Sequence, residues 1–151
     1  MEREHVHDEH CNHEHEHVHD ESCGHDHNAF IAPMGEPVLE TTRHDDAIIV
    51  SGALSLMCAD PAAAQDALAA ALSGVARAVS ERDGLVGHIK ASFSVTSVDM
   101  LSVTDAEATV KSAPEREVKI NLAAIVFLIP PEAAEALVRG ALDAVKKSVS
   151  T

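Results

Sequence analysis

Residues 117–131 read EVKINLAAIVFLIPP and contain the longest apolar run of the chain. Apolar and polar side chains alternate up to Leu122, which is the period of a strand with one buried face. Residues 123–129 are apolar on both sides, so we expect either a central strand or a strand that contacts a second subunit. The Pro-Pro pair at the end stops the strand and begins a helix.

The same reasoning assigns the flanking elements. We expect a strand over residues 47–57 and a helix from about residue 61 to 82, which Asp60 caps and Pro61 begins. A strand over 86–97, a further strand and turn within 98–112, and a final helix that the Pro130-Pro131 pair begins complete the expected order. The order β-α-β-(β)-β-α predicts an α+β domain. It is a small two-layer sandwich with a mainly antiparallel sheet and two helices on one face.

Two features of this fold stay open from the sequence. No final strand follows the second helix, so a match to the ferredoxin-like superfold is undecided. The helix-free face of the sheet is either solvated or covered by a second subunit, and we favour a homodimer because residues 123–129 are apolar on both sides.

The chain divides into a tail at residues 1–28, a linker at 29–43 and the α+β domain at 44–151. Apart from its cysteines, the tail has only Met1, Val6 and Val18 as apolar residues. Such a segment buries too little surface to offset its ordering entropy, so we expect it to be disordered without a ligand. Pro33, Gly35 and the absence of any period indicate a linker after it.

The tail contains an internal repeat. Residues 4–13 read EHVHDEHCNH and residues 16–25 read EHVHDESCGH, an offset of twelve with eight of ten positions identical. The repeated unit has the form H-x-H-x₃-C-x-H-x-H, and His10 falls outside it because Ser22 is its counterpart. The unit indicates duplicated metal binding, since neutral imidazole and thiolate are the usual ligands of borderline divalent metals.

Eleven tail side chains are the candidate metal ligands: His5, His7, His10, Cys11, His13, His15, His17, His19, Cys23, His25 and His27. In an extended chain, an H-x-H step places both imidazoles on one side, and the intervening carboxylates can orient the rings. Nine imidazoles with two thiols suit Ni²⁺ or Zn²⁺, with Co²⁺ also possible, better than a dedicated Cu(I) site. A purification tag or a solvated low-complexity tail is the alternative, although a tag is normally one uniform histidine run.

In composition, residues 4–27 resemble the His-rich tails of nickel chaperones that serve hydrogenase and urease maturation, and those of zinc-handling proteins. The resemblance implies storage or buffering of metal, or its delivery to a client metalloprotein. The G-x-x-x-x-G-K-[ST] phosphate loop of some such chaperones does not occur, so nucleotide hydrolysis is not expected. The sequence beyond residue 38 resembles no family that we recognise.

Charge and composition exclude several classes of partner. The net charge is −14, of which residues 1–30 contribute −8 from nine acids and one arginine, so we expect neither nucleic acid nor an anionic membrane as partner. The longest apolar run is too short to span a membrane, and the N-terminus lacks an apolar signal segment. With an odd number of cysteines, three, we expect a reducing cytoplasm.

The domain itself offers weaker candidates. His44, Asp45, Asp46 and His88 are candidates for a metal-receiving site, although lone histidines are more often ordinary surface residues. Cys58 precedes a helix, whose dipole can lower a thiol pKa, although a small buried hydrophobe is the more common role. A candidate anion site, for which a solvated sheet face is the expected alternative, comprises Lys90, Ser92, Ser94, Thr96, Lys119 and Asn121.

Three functions follow as hypotheses. The leading one is a cytoplasmic Ni²⁺ or Zn²⁺ buffer or chaperone that is not an enzyme, because no nucleophile-base pair or glycine-rich loop occurs. The second is an interaction or assembly module whose tail serves as a metal sink or sensor. The third is a small enzyme that uses a metal at His44 and His88.

Overall fold

A computed structural model describes residues 32–149 of the chain. The elements in chain order are β1 (Val38–His44), β2 (Ala47–Cys58), α1 (Pro61–Ser80), β3 (Leu85–Thr96), β4 (Asp99–Thr104), β5 (Glu107–Ser112), β6 (Arg116–Phe127) and α2 (Pro131–Val149). The fold is α+β, with a mainly antiparallel sheet and two helices, as the hydrophobic pattern predicts. The expected tail, residues 1–28, lies outside the described residues.

The main sheet has four strands in the order β1-β2-β6-β3, and every neighbouring pair is antiparallel. Strand β6 lies between β2 and β3, so the stretch that is apolar on both sides forms a central strand, one of its two expected places. Its even-numbered side chains face the helices and are buried, from Val118 to Val126. The odd-numbered side chains lie on the helix-free face, where Ile125 and Phe127 are half-buried and Ala123 is exposed.

The linker prediction for residues 29–43 is wrong from Val38 onward. Residues 38–44 form β1, which pairs with β2 through a two-residue loop, and Asp45 in that loop has a φ of 53°. Strand β1 is an edge strand, and only Leu39 packs against the core. An edge strand with so few buried side chains produces almost no hydrophobic period, which explains why the pattern suggested a linker.

The position of β1 also bears on the ferredoxin-like superfold. Strands β2 and β3 are parallel to each other, with β6 antiparallel between them, so β2-α1-β3 is a split βαβ unit. Within the described residues no strand follows α2. The edge position beside β2 is occupied by β1 instead, so the sheet is completed from the N-terminal side of the domain.

Residues 98–112, expected to hold one strand and a turn, form two strands. Strands β4 and β5 make a separate two-stranded sheet, joined by Asp105 and Ala106. These two residues have positive φ values of 51° and 68°, the signature of a type I′ hairpin turn. We call residues 97–115 the arm, since they leave the main sheet at the end of β3 and return to it at β6.

Both helices begin where their capping residues predict. The Asp60 carboxylate accepts hydrogen bonds from the backbone N–H groups of Ala62 (3.0 Å) and Ala63 (3.1 Å), and Pro61 is the first helical residue. Helix α1 ends at Ser80, two residues before the expected Arg82. The two helices pack against each other and cover one face of the sheet. Neither helix within residues 32–149 is both long and apolar enough to cross a membrane.

The tight turn between α1 and β3 provides a test of this packing. A Cβ atom on Gly84 would lie 2.6 Å from Ile129 Cγ2 and 2.8 Å from Val79 Cγ1, both in the core. We expect Gly84→Ala to lower the free energy of unfolding by about 1–3 kcal/mol, as overpacking does. Denaturant titration followed by circular dichroism measures the change.

The matched control for this substitution is Gly140→Ala in α2. No heavy atom lies within 4 Å of the Cβ position there. The substitution should raise stability by about 0.5–1 kcal/mol, because alanine is the better helix former. Equal effects of the two substitutions would contradict the packing at Gly84.

Candidate metal centre

The eleven tail side chains that carry the metal-binding prediction lie outside the described residues. They are His5, His7, His10, Cys11, His13, His15, His17, His19, Cys23, His25 and His27. Residues 32–149 contain three further side chains of these types, namely His44, Cys58 and His88. The structure therefore tests only whether the domain itself forms the expected metal-receiving site.

His44 lies at the end of β1, where the chain turns into β2. Its Nδ1 atom is 3.3 Å from the Asp45 carboxylate, and the two side chains are 81% and 90% exposed. Arg43 Nε donates a hydrogen bond of 2.9 Å to the Asp45 carbonyl oxygen in the same turn. These contacts are those of a solvated hairpin turn, and an ion pair this exposed contributes little to stability.

His88 is too far from His44 for the two to share a metal ion. His88 pairs with Ile125 on β6, whereas His44 pairs with Ala47 on β2, so the histidines lie on the two edge strands of the sheet. Three strand spacings separate those edges, which amounts to about 14 Å. Two imidazole nitrogens on one zinc ion each lie about 2.0–2.1 Å from it.

The described residues supply no further ligands near either histidine. Within residues 32–149, no group of three His, Cys, Asp or Glu side chains is placed to hold a metal ion. The structure therefore does not bring His44, Asp45, Asp46 and His88 together as one receiving site. This arrangement also removes the geometric basis of the third hypothesis, an enzyme with a metal at His44 and His88.

Cys58 is a buried core residue. It ends β2 on the helix-facing side of the sheet and is 2% exposed. Burial raises the pKa of the Cys58 thiol, and the nearby Asp60 and Glu115 carboxylates raise it further, against a lowering effect of Arg116. The thiol therefore stays protonated at neutral pH, and the alternative of a helix-activated thiolate is not supported.

This environment predicts slow thiol chemistry at Cys58. In a Cys11→Ser/Cys23→Ser variant, iodoacetamide should label Cys58 only after denaturant unfolds the chain, and mass spectrometry measures the labelling. The folded state binds the thiol proton more tightly than the unfolded state. The free energy of unfolding is therefore undiminished at neutral pH, and it falls as pH rises above about 8.5, where the thiol of the unfolded chain loses its proton more readily. Rapid labelling of the folded variant at neutral pH would contradict the burial.

The side chains of the candidate anion site lie on the helix-free face of β3 and β6, as the alternation predicts. Ser92 pairs with Asn121 and Ser94 with Lys119, and Ser94 Oγ donates to the Lys119 carbonyl oxygen at 3.4 Å. Lys119 Nζ lies 3.4 Å from the Glu117 carboxylate, which balances the positive charge of this lysine, one of the two in the candidate anion site. All six side chains of the candidate anion site are exposed, so this is a solvated sheet face. They are Lys90, Ser92, Ser94, Thr96, Lys119 and Asn121.

Sequence reasoning missed one surface of the domain, the apolar face of the arm. Leu101 and Val103 on β4 lie opposite Val110 and Ala108 on β5, so all four side chains share one face of the hairpin. The three larger ones are 70%, 72% and 61% exposed. The alternation of LSVT and EATV across a two-residue turn is the signal that identifies such a hairpin.

Comparisons of the chain with protein-family models, with curated proteins and with solved structures find no match.

Proposed function

We propose that this protein binds a divalent transition metal, Ni²⁺ or Zn²⁺, through residues 4–27, and stores, buffers or delivers it in the cytoplasm. The observation that carries the proposal is the duplicated unit H-x-H-x₃-C-x-H-x-H. Each copy contains four imidazoles and one thiol, which exceeds the four ligands that a tetrahedral site requires. A surplus of exchangeable ligands suits a carrier, since a metal can be passed on by stepwise replacement.

The charge of the tail supports the same function. Residues 1–30 carry nine acids and one arginine, and most of these acids are interleaved with the histidines. Their net charge of −8 attracts divalent cations and offsets part of the repulsion between two ions held close together. Within the repeat, Glu9 and Glu21 occupy equivalent positions, so this charge is duplicated together with the ligands.

The construction of the domain supports a separation of tasks. The core of residues 32–149 consists of aliphatic side chains from both helices and from β2 and β6, together with the Cys58 thiol. No metal ligand is required to complete that core, unlike in small zinc domains that fold around their ion. In the proposed division, the tail holds the metal and the domain provides the surface that meets other molecules.

An interaction or assembly module remains the second candidate function. The specific observation in its favour is the exposed apolar face of the arm, formed by Leu101, Val103, Ala108 and Val110. Large exposed side chains grouped on one face are typical of protein contact sites. In this alternative the arm performs the principal task, and the tail acts as a metal sink or sensor.

The repeat provides the experiment that tests the proposal. Replacing His17, His19, Cys23, His25 and His27 with alanine in the full chain removes the second unit. Two independent units predict that Ni²⁺ or Zn²⁺ capacity falls to about half, measured by equilibrium dialysis. The matched control, His44→Ala/His88→Ala, should leave the capacity unchanged. Complete loss of binding on removing one unit would mean that both units form a single site.

A further inference from the structure

The arm presents an apolar face that nothing in its own domain covers. Its principal contacts are between its own strands, and Leu101, Val103 and Val110 are 61–72% exposed. An isolated two-stranded hairpin is marginally stable in water, and it gains stability by packing against another element. The arm is therefore an incomplete unit within a single copy of the described residues.

The domain also contains an apolar row that its own helices cover incompletely. On β3, Ile89, Phe93 and Val95 face the helix side, because they pair with buried residues of β6. Ile89 and Phe93 are only half-buried, and Val95 is 45% exposed. We call these three residues the β3 row. Strand β3 is also an edge strand, so its outer backbone groups have no strand partner within residues 32–149.

We propose that two copies of this chain form a two-fold dimer in which the arm of each copy packs its apolar face onto the β3 row of the other. Each copy carries one arm and one β3 row, so two such contacts satisfy both copies and close the assembly. Strand β4 of the arm begins only two residues after β3 ends, which places both contacts beside the same edge of the sheet.

The area that these surfaces bury matches a weak, reversible dimer. A fully buried aliphatic or aromatic side chain removes about 60–120 Å² of apolar surface, so three side chains at two-thirds exposure give about 200 Å² per arm. The side chains of the β3 row are at most 45% exposed, so each row gives about 100 Å². Two arms and two β3 rows then bury about 600 Å² of apolar surface. Since interface cores are about 65% apolar, the total is about 900 Å², the size of a weak or transient interface. A single arm contact with a different protein would bury only half of this.

Charge decides between two ways of pairing the copies. The arm, residues 97–115, carries four acids and one lysine, a net charge of −3. Two arms packed against each other would bring six excess negative charges together, which is unfavourable. Strand β3 has no acidic residue, so its β3 row accepts an acidic arm without repulsion from the strand itself. The contact of arm with β3 row is therefore preferred over the contact of arm with arm.

The experiment measures the mass of the full chain by analytical ultracentrifugation with excess EDTA, so that metal cannot link two tails. We expect a concentration-dependent species of twice the 16.0 kDa chain mass. Val103→Lys places a charge on the apolar face of the arm, and Val95→Lys does so in the β3 row. Each should return the mass to that of one chain, and circular dichroism should show that the domain remains folded.

Adjacent residues on the opposite faces provide matched controls. Thr104→Lys lies next to Val103 on the other face of the arm, beside Glu107, and Thr96→Lys lies next to Val95 on the helix-free face. Both variants should remain dimeric. A full chain that stays at 16.0 kDa up to about 1 mM, the dissociation constant of a very weak complex, would overturn the proposal. A dimer that tolerates Val103→Lys, or a series of species larger than a dimer, would also overturn it.

Discussion

Lowering the pH from about 7.5 to about 5 is expected to strip Ni²⁺ or Zn²⁺ from the full chain while the domain stays folded. An imidazole must be neutral to bind a metal, and its unperturbed pKa is about 6.5. The tail contains nine imidazoles, so each metal competes with several protons. Binding should therefore weaken much more steeply than for a single histidine ligand. The sign follows directly, because a lower pH adds protons to the ligands and releases the metal.

The domain provides the internal control for this titration. Its two histidines, His44 and His88, are exposed, and neither contributes to the core. The core consists of aliphatic side chains and one buried thiol, so we expect the fold to persist at the lower pH. A colorimetric chelator follows the released metal while circular dichroism follows the fold in the same samples. Metal retained at about pH 5 would indicate thiolate-dominated ligation. Simultaneous loss of metal and fold would indicate a structural metal.

The second large effect concerns the packing of α2 on the sheet. Leu142 is fully buried, and its Cδ1 atom lies 3.0 Å from the position that a Cβ on Gly52 would occupy. The absence of a side chain at Gly52 therefore lets Leu142 approach the backbone of β2 closely. Leu142→Ala should lower the free energy of unfolding by about 2–5 kcal/mol, because a cavity remains where helix and sheet cannot collapse together. Urea denaturation measures this loss.

Leu85→Ala is the matched control for the core substitution. Leu85 begins β3 and is 59% exposed, so the same change in side chain removes little buried surface. Its effect should stay within about 0.5 kcal/mol, as for other surface positions. A loss at Leu142 no larger than the loss at Leu85 would contradict the placement of α2.

The elements with a strong hydrophobic period were predictable from the sequence. Strand β6 alternates and then becomes apolar on both sides, and it lies at the centre of the sheet. The Asp60-Pro61 pair marked the start of α1 for a clear physical reason, since a carboxylate caps free N–H groups and proline needs no partner there. These features depend on local chemistry alone.

Strand β1 and the arm were not predictable in the same way, because the local sequence signal of each is weak. Strand β1 buries little apart from Leu39, so its pairing with β2 leaves no periodic signal. The turn of the arm contains Asp105 and Ala106, whereas the usual type I′ turn contains asparagine and glycine. Without that dipeptide, the sequence of this hairpin resembles the sequence of a single irregular strand.

The candidate metal ligands fall into the same two groups, those that the sequence predicts and those that only the structure can test. The ligand chemistry of the tail follows from residue types and spacing, and it remains a prediction. Whether His44 and His88 meet depends on strand order, which hydrophobic pattern alone does not determine. The order β1-β2-β6-β3 places these two residues on opposite edges of the sheet. The protonated state of Cys58 likewise depends on burial that only the packed structure reveals.

Native mass spectrometry of the full chain and of a chain that begins at Ala29, each with Ni²⁺ and with Zn²⁺, shows whether residues 1–28 hold the metal. We expect about two ions on the full chain, one for each repeat unit, and no tightly held ion on the shorter chain. Circular dichroism of the shorter chain should show that the domain stays folded. A shorter chain that retains a tight ion, or a full chain that binds none, would contradict the account.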